Sequence, residues 1–245
     1  MSRLSRPTEM GTSSPKTDML PRTLEPELMD SAREASDYDR MDHSSVNRAF
    51  VDEFLAAWHD GSDQLADACL IDVGTGTAQI PVELAGRGTG CRVVAVDLAG
   101  EMLKLARRNV AAAGLEQVVD VERVDAKTLP YDDGRFDGVI SNSIIHHIAR
   151  PEVVLEEMTR VLKTGGLLFV RDLMRPDDSA TVEGLVEEYA ADESEHARQL
   201  FHQSLHAALT LSEARQLVEA CGGRSEFVFA SSDRHWTICG RWENR

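Results

Sequence analysis

Three carboxylates, Asp72, Asp97 and Asp125, stand at or near the ends of short apolar runs, and the first lies two residues before Gly74-Thr75-Gly76. Glycines at 74 and 76 let the backbone turn tightly and approach a ligand that a side chain would hold away. A carboxylate at Asp72, beside the exposed amides of a helix start, repels a diphosphate but suits a ligand bearing positive charge. The place where a dinucleotide-binding turn sets its third glycine holds Gln79. Both features weigh against NAD, and charge complementarity points to S-adenosylmethionine, which carries an ammonium and a sulfonium. Twenty-one residues after Gly76 comes Asp97, followed by Leu98, at a strand end where an acid can accept two hydrogen bonds from ribose hydroxyls. Asp125, followed by Ala126, ends the third strand and is placed for the adenine amino group. Either of the last two acids reads equally well as a helix N-cap; acids at three successive strand ends around one glycine turn make a cofactor site.

A second set could act on a substrate. His146 and His147 follow the fourth strand and Asp172 ends the fifth, and adjacent parallel strands deliver both to one side of a pocket. An imidazole oriented by a carboxylate is a workable base for a hydroxyl or an acidic carbon, with His146 ahead of His147. The alternative is that one histidine caps a helix, the other packs in the core, and Asp172 pairs with Arg171 or Arg175. His196, His202 and His206 lie further on, the last two four apart on one helical face, a spacing that binds zinc when a third ligand exists. No HExxH pattern accompanies them, and the four cysteines show no CxxC spacing, so no metal is expected.

Strands alternating with helices must hold these residues. Apolar runs at Cys69–Val73, Arg92–Val96, Val119–Val124, Phe136–Ser141 and Leu167–Arg171 alternate with helical patterns at Pro81–Ala85, Met102–Ala113 and Glu152–Leu162, which predicts βαβ units and a parallel sheet covered on both faces. Upstream, Val46, Phe50, Val51, Phe54, Leu55 and Trp58 are spaced for one apolar helix face. Residues 1–22, rich in Ser, Thr, Pro and Lys, read as a flexible tail ahead of a domain over 23–245. After Arg171 an acidic helical stretch, about 176–208, is too long for a βα loop and reads as an inserted lid, with Phe201, Leu205 and Leu209 docking it. Thr210-Leu-Ser-Glu213 fits a capping box opening a helix over Leu211–Ala220, and Glu226–Ala230 and His235–Arg241 read as an edge hairpin. Arg234, His235 and Trp236 read as surface or interface residues.

Composition narrows the classes. The 26 basic against 42 acidic residues give a net charge of −16, which repels phosphate backbones and disfavours nucleic acid. No apolar run approaches the roughly 20 residues that span a bilayer, and the start has no apolar signal core, so a cytoplasmic location is expected. A small molecule is the expected partner, and a homodimer is compatible with the sequence.

Over about residues 36 to 175 the ordered segments Asp72–Ala78, Val96-Asp97, Val124–Ala126, Phe136-Asp137 with Ser141–His147, and Leu162–Leu167 resemble the motifs of class I S-adenosylmethionine-dependent methyltransferases. Tyr38-Asp-Arg-Met-Asp42 is similar to a pattern in the ubiquinone and menaquinone biosynthesis members; Ala78 stands where those families usually have a third glycine. The resemblance implies a Rossmann-like α/β fold. Its seven-stranded, mostly parallel sheet would have the order 3-2-1-4-5-7-6, with helices on both faces and the lid after strand 5. It implies that Gly74–Gly76 line the methionine moiety and Tyr38 closes over it, that Met102 packs on the adenosine, and that the carbonyl of Ser141 or Asn142 holds the ammonium. Tyr38 and Met102 also read as plain packing residues. The activity implied is methyl transfer to an O, N or C nucleophile of a small molecule; an RNA or protein methyltransferase, or a cofactor-binding protein without turnover, are the other readings.

Overall fold

The computed structural model describes residues 20–25, 31–32, 35–36, 39, 44–59 and 65–243. Seven strands form one sheet in the order β3-β2-β1-β4-β5-β7-β6. They are β1 (Cys69–Val73), β2 (Arg92–Asp97), β3 (Val119–Arg123), β4 (Phe136–Asn142), β5 (Leu162–Leu173), β6 (Val228–Ala230) and β7 (His235–Trp242). Strands β1 to β5 run parallel, while β7 is antiparallel to both β5 and β6. The edge hairpin is therefore inserted with its second strand inward, closed by Ser231 N–H donating to the His235 carbonyl at 3.0 Å.

Alternation along the strands splits the apolar side chains between two cores. Leu70, Val93, Ala95, Ile140 and Phe169 face α1 (Ser44–His59), α2 (Gln79–Gly86) and α3 (Gly100–Ala112). Ile71, Val94, Val139, Leu168 and Val170 face α4 (Pro151–Val161) and α7 (Leu211–Ala220). In α1, Phe50, Val51, Phe54 and Trp58 are buried, and the rings of Phe50 and Phe54 meet Phe169 edge-on at 5.0 and 5.9 Å. Each such ring contributes roughly 1.5–3 kcal/mol by burial. Val46 does not join that face; Asn47 takes the covered position one residue later, bonded to Gln79 at 3.0 Å, and Val46 stays exposed. Gly138 lets the helix approach the sheet, since a Cβ there would lie 2.8 Å from the Trp58 ring.

Strand β5 begins five residues earlier than its apolar run. Leu162 pairs with Phe136, and the register shifts before Gly138 meets Leu167, so the Gly165–Gly166 pair forms an irregularity inside the strand rather than a break before it. The lid consists of α5 (Ser179–Ala190) and α6 (Glu195–Ala207), with a small core of Leu173, Val182, Leu185 and Leu205, onto which Leu20 and Phe201 pack. The capping box at Thr210 and Glu213 is present. Trp236 corrects the surface reading of the hairpin: it pairs with Asp172 across the ladder and is fully buried. Residues 1–19 of the expected tail lie outside the described residues; Leu20 and Arg22, at its end, are bound to the Asp177 and Ala207 carbonyls.

Candidate active site

Strands β1, β2 and β4 end side by side, and the turn after β1 sits at the centre of that edge. Gly74 and Gly76 take φ of +75° and +56°, and Ala78, the residue ahead of α2, is also left-handed at +59°. At Gly74 there is no room for a side chain, because a Cβ would come within 2.7 Å of Ile144, which reaches over from the loop after β4. The Gly74 and Thr75 amides both donate to the Val96 carbonyl at 2.9 Å, locking the turn to β2.

Asp97 performs two tasks at once. One carboxylate oxygen accepts from Gly76 N–H and the other from Ala99 N–H, each at 2.8 Å, so the side chain closes the local turn ahead of α3 and also anchors the glycine turn. Burial raises its pKa in spite of those two bonds. Asp72 is 2% exposed, and burial pushes its pKa up to about 7; Asp97 adds to the rise and the Thr75 hydroxyl opposes it. An acid held this far from water is poised to ionise when a cation arrives. A small polar cavity beside it is lined by Asn47, Asp72, Thr75, Thr77 and Asn142, and the buried Thr77 hydroxyl has no hydrogen-bond partner in the protein. An acid awaiting a cation, an unpartnered hydroxyl and a turn stripped of side chains fit the ammonium-bearing end of S-adenosylmethionine.

The outer candidates are spread along the same edge. Leu98 follows Asp97, its carbonyl accepting from Arg123 Nε at 2.9 Å. Asp125 stands just beyond β3, accepting from its neighbour Lys127 N–H at 2.9 Å, and Ala126 is buried beside it. Met102 is buried at the start of α3 in a cluster with Ala35 and Ala99. The Ser141 hydroxyl is spent on the Val73 carbonyl at 2.7 Å, whereas Asn142 faces the cavity. Tyr38 lies outside the described residues; next to it, Asp39 accepts from Asn109 at 2.9 Å.

The histidines belong to a second, more buried cluster. A 3₁₀ turn over Ile145–His147 follows β4, and Asp172 at the end of β5 holds it: one carboxylate oxygen accepts from Ile145 N–H at 2.5 Å, the other contacts His146 Nδ1 at 2.5 Å. Asp172 therefore pairs with His146 and not with an arginine; Arg171 goes to Glu53 and Arg175 to Glu213. Burial works against charge on both partners, but their mutual attraction prevails, raising the His146 pKa and lowering that of Asp172. The Asp172 carboxylate thus favours a proton on the His146 ring.

Sequence reasoning missed the other half of this cluster. Arg22 spends its guanidinium on the carbonyls of Ile145, His146, Ile148 and Ala207. Glu25 reaches His146 Nε2 at 3.4 Å and His147 Nδ1 at 2.8 Å, and accepts from Ser204 of α6 at 3.2 Å. Burial opposes its ionisation, yet the histidines and Ser204 keep its pKa low. Segment 20–25 so ties the lid to the 3₁₀ turn. Nothing in the local text announces this, because Arg22 and Ile145 are 123 residues apart. The His202 and His206 rings lie 4.7 Å apart on α6 with no third metal-binding side chain beside them among the described residues.

Residues 71–170 match the family model of the methyltransferase domain. The chain is 39% identical over 111 residues to demethylmenaquinone methyltransferase of Thermus thermophilus, a match covering 45% of this chain and 50% of that relative. It is 31% identical over 205 residues to methyltransferase GfsG of Streptomyces halstedii, covering 73% of each. The match thus spans about half the length of the first of these relatives. A crystal structure of a SAM-dependent methyltransferase from Aquifex aeolicus shares the fold, with a TM-score of 0.62 at 20% identity over 85% of this chain and 97% of the other.

Proposed function

The chain belongs to the class I S-adenosylmethionine-dependent methyltransferase family, and from that membership we propose that it transfers a methyl group to an O, N or C nucleophile of a small molecule. The observation that carries this reading is the strand-tip cleft in which Asp97 grips the glycine turn above the buried Asp72. S-adenosylmethionine, when bound, supplies an electrophilic methyl on a positively charged sulfur. Asp72 and Asn142 orient the ammonium end, Gly74 to Gly76 give the backbone room, and Asp97 with Leu98 holds the ribose. Asp125 and Ala126 take the adenine edge, and Met102 packs against the nucleoside.

The acceptor side is formed by the 3₁₀ turn and the lid. Asp172 fixes His146 through Nδ1, which leaves the Nε2 edge to act on the acceptor's nucleophile and its proton. The lid and segment 20–25 exclude water and select the acceptor; the similarity to a demethylmenaquinone methyltransferase supports a small-molecule acceptor. The negative overall charge supports a small-molecule acceptor over a nucleic acid.

Incubation of the protein with methyl-labelled S-adenosylmethionine and a metabolite extract tests this. Label is expected in a low-mass product, falling by about 10²–10⁴-fold in His146→Ala. Label that enters only RNA or protein, or no transfer at all by a protein that binds the cofactor, would overturn it.

A further inference from the structure

Glu25, His146 and His147 bring one carboxylate oxygen and two imidazole nitrogens within 4.8 Å of one another, beneath the lid. His147 Nδ1 lies 2.8 Å from Glu25 Oε1, yet it is buried and has no aligned hydrogen-bond partner. Glu25 Oε1 and His147 Nδ1 face one another across this space. His146 Nε2 approaches the same oxygen at 3.4 Å.

The surroundings are those of a metal site. Donors around a transition metal at about 2.0–2.2 Å stand roughly 3–3.5 Å apart; of the two oxygen–nitrogen separations, 3.4 Å falls in that range and 2.8 Å just below it. A ligating imidazole usually gives its other ring N–H to a carboxylate, which fixes the tautomer. Asp172 does this for His146 at Nδ1, 2.5 Å away. Ser204 donates to Glu25 at 3.2 Å and so orients the carboxylate as well. Neighbouring Arg22 directs its guanidinium to backbone carbonyls, anchoring the segment that carries Glu25.

We propose that His146 Nε2, His147 Nδ1 and Glu25 form a binding site for a divalent transition metal of the zinc class, with Asp172 and Ser204 as outer supports. Two imidazoles and one carboxylate leave a coordination position open, as catalytic sites do. Its consequence for catalysis rests on the methyl-transfer reading above; metal binding itself does not. The open position takes a hydroxyl or enol oxygen of the acceptor and lowers its pKa. That oxygen loses its proton to water and forms the new O–C bond as the S–C bond of the sulfonium breaks, leaving a methyl ether and a neutral thioether. His146 then serves as a ligand, and the acceptor class narrows to oxygen nucleophiles.

The test uses the full chain, stripped with EDTA and titrated with Zn²⁺ and, separately, Co²⁺, without S-adenosylmethionine. One equivalent is expected to bind, with Co²⁺ giving the visible absorption of a nitrogen- and oxygen-ligated site. Glu25→Gln and His147→Gln should each weaken binding at least 10-fold, and Asp172→Asn by about 10–100-fold. A His202→Gln/His206→Gln double variant should keep it. Cofactor affinity and circular dichroism identify variants that remain folded. No uptake by the folded parent, or uptake lost in the His202/His206 variant and kept in Glu25→Gln and His147→Gln, overturns the site. Cofactor binding by the stripped protein would survive that outcome, so the two proposals fail separately.

Discussion

Replacing Asp72 by Asn should make the ligand-free protein more stable and the cofactor bind more weakly. The folded pKa of about 7 stands above the ordinary 3.8, so the folded state holds this proton more tightly than the unfolded chain does. The sign follows from that. Below about pH 4 the group costs nothing, between pH 4 and 7 stability falls because the unfolded chain ionises while the folded acid keeps its proton, and above pH 7 the whole penalty is present. The difference between 7 and 3.8 is about 3 units, which at 1.36 kcal/mol each makes the penalty about 4 kcal/mol. For a chain of this size each kcal/mol moves Tm by roughly 2–4 °C, so Asp72→Asn should melt up to about 8–16 °C above the parent at pH 8. At pH 5 less than half of that gain should remain. Thermal melts at the two pH values without ligand, followed by calorimetric titration with S-adenosylmethionine, read both effects. Parent affinity should weaken by up to tenfold per pH unit below 7, since only the ionised acid complements the ammonium, while the variant should be weak throughout. An Asn variant no more stable than its parent at pH 8, or a gain independent of pH, would refute the reasoning.

Asp97→Ala removes the group that binds both Gly76 and Ala99 amides, and calorimetry should show cofactor affinity down by at least 100-fold. Gly74→Val sets a branched side chain where a Cβ already meets Ile144 at 2.7 Å with φ at +75°, so cofactor binding should vanish and chemical denaturation should show a loss of a few kcal/mol. Asp172→Ala leaves His146 and the Ile145 amide buried without their acceptor, and urea unfolding should register about 3–5 kcal/mol of destabilisation. Thr210→Ala removes only the capping box of α7, so stability should fall by about 1 kcal/mol with cofactor affinity unchanged.

What was legible in the sequence was what is encoded locally. Buried parallel strands are short apolar runs, so β1 to β4 fall within a residue or two of the runs at Cys69, Arg92, Val119 and Phe136. Thr210 and Glu213, three apart, gave the start of α7. Asp72, Gly74 and Asp97 were visible because the ends of adjacent strands must meet, whatever lies between them. Strand β5 was read short because Gly165–Gly166 resemble a break, while pairing with β4 and β7 carries the ladder across them. Val46 matched a helical period, but which stripe of α1 is covered depends on the sheet below it, and Asn47 holds that place through Gln79. Glu25 and Arg22 were beyond reach: their partners come from the 3₁₀ turn after β4 and from α6, and a carboxylate in a polar stretch carries no mark of the histidines it will meet.

A structure of the chain with S-adenosylhomocysteine bound tests the central claim most directly. The ribose hydroxyls should lie within hydrogen-bonding distance of Asp97, the amino acid end beside Asp72 and Asn142, and the sulfur open toward the 3₁₀ turn of His146 and His147. A ligand seated away from the Gly74–Gly76 turn, or turned so that Asp97 faces neither ribose hydroxyl, would contradict it.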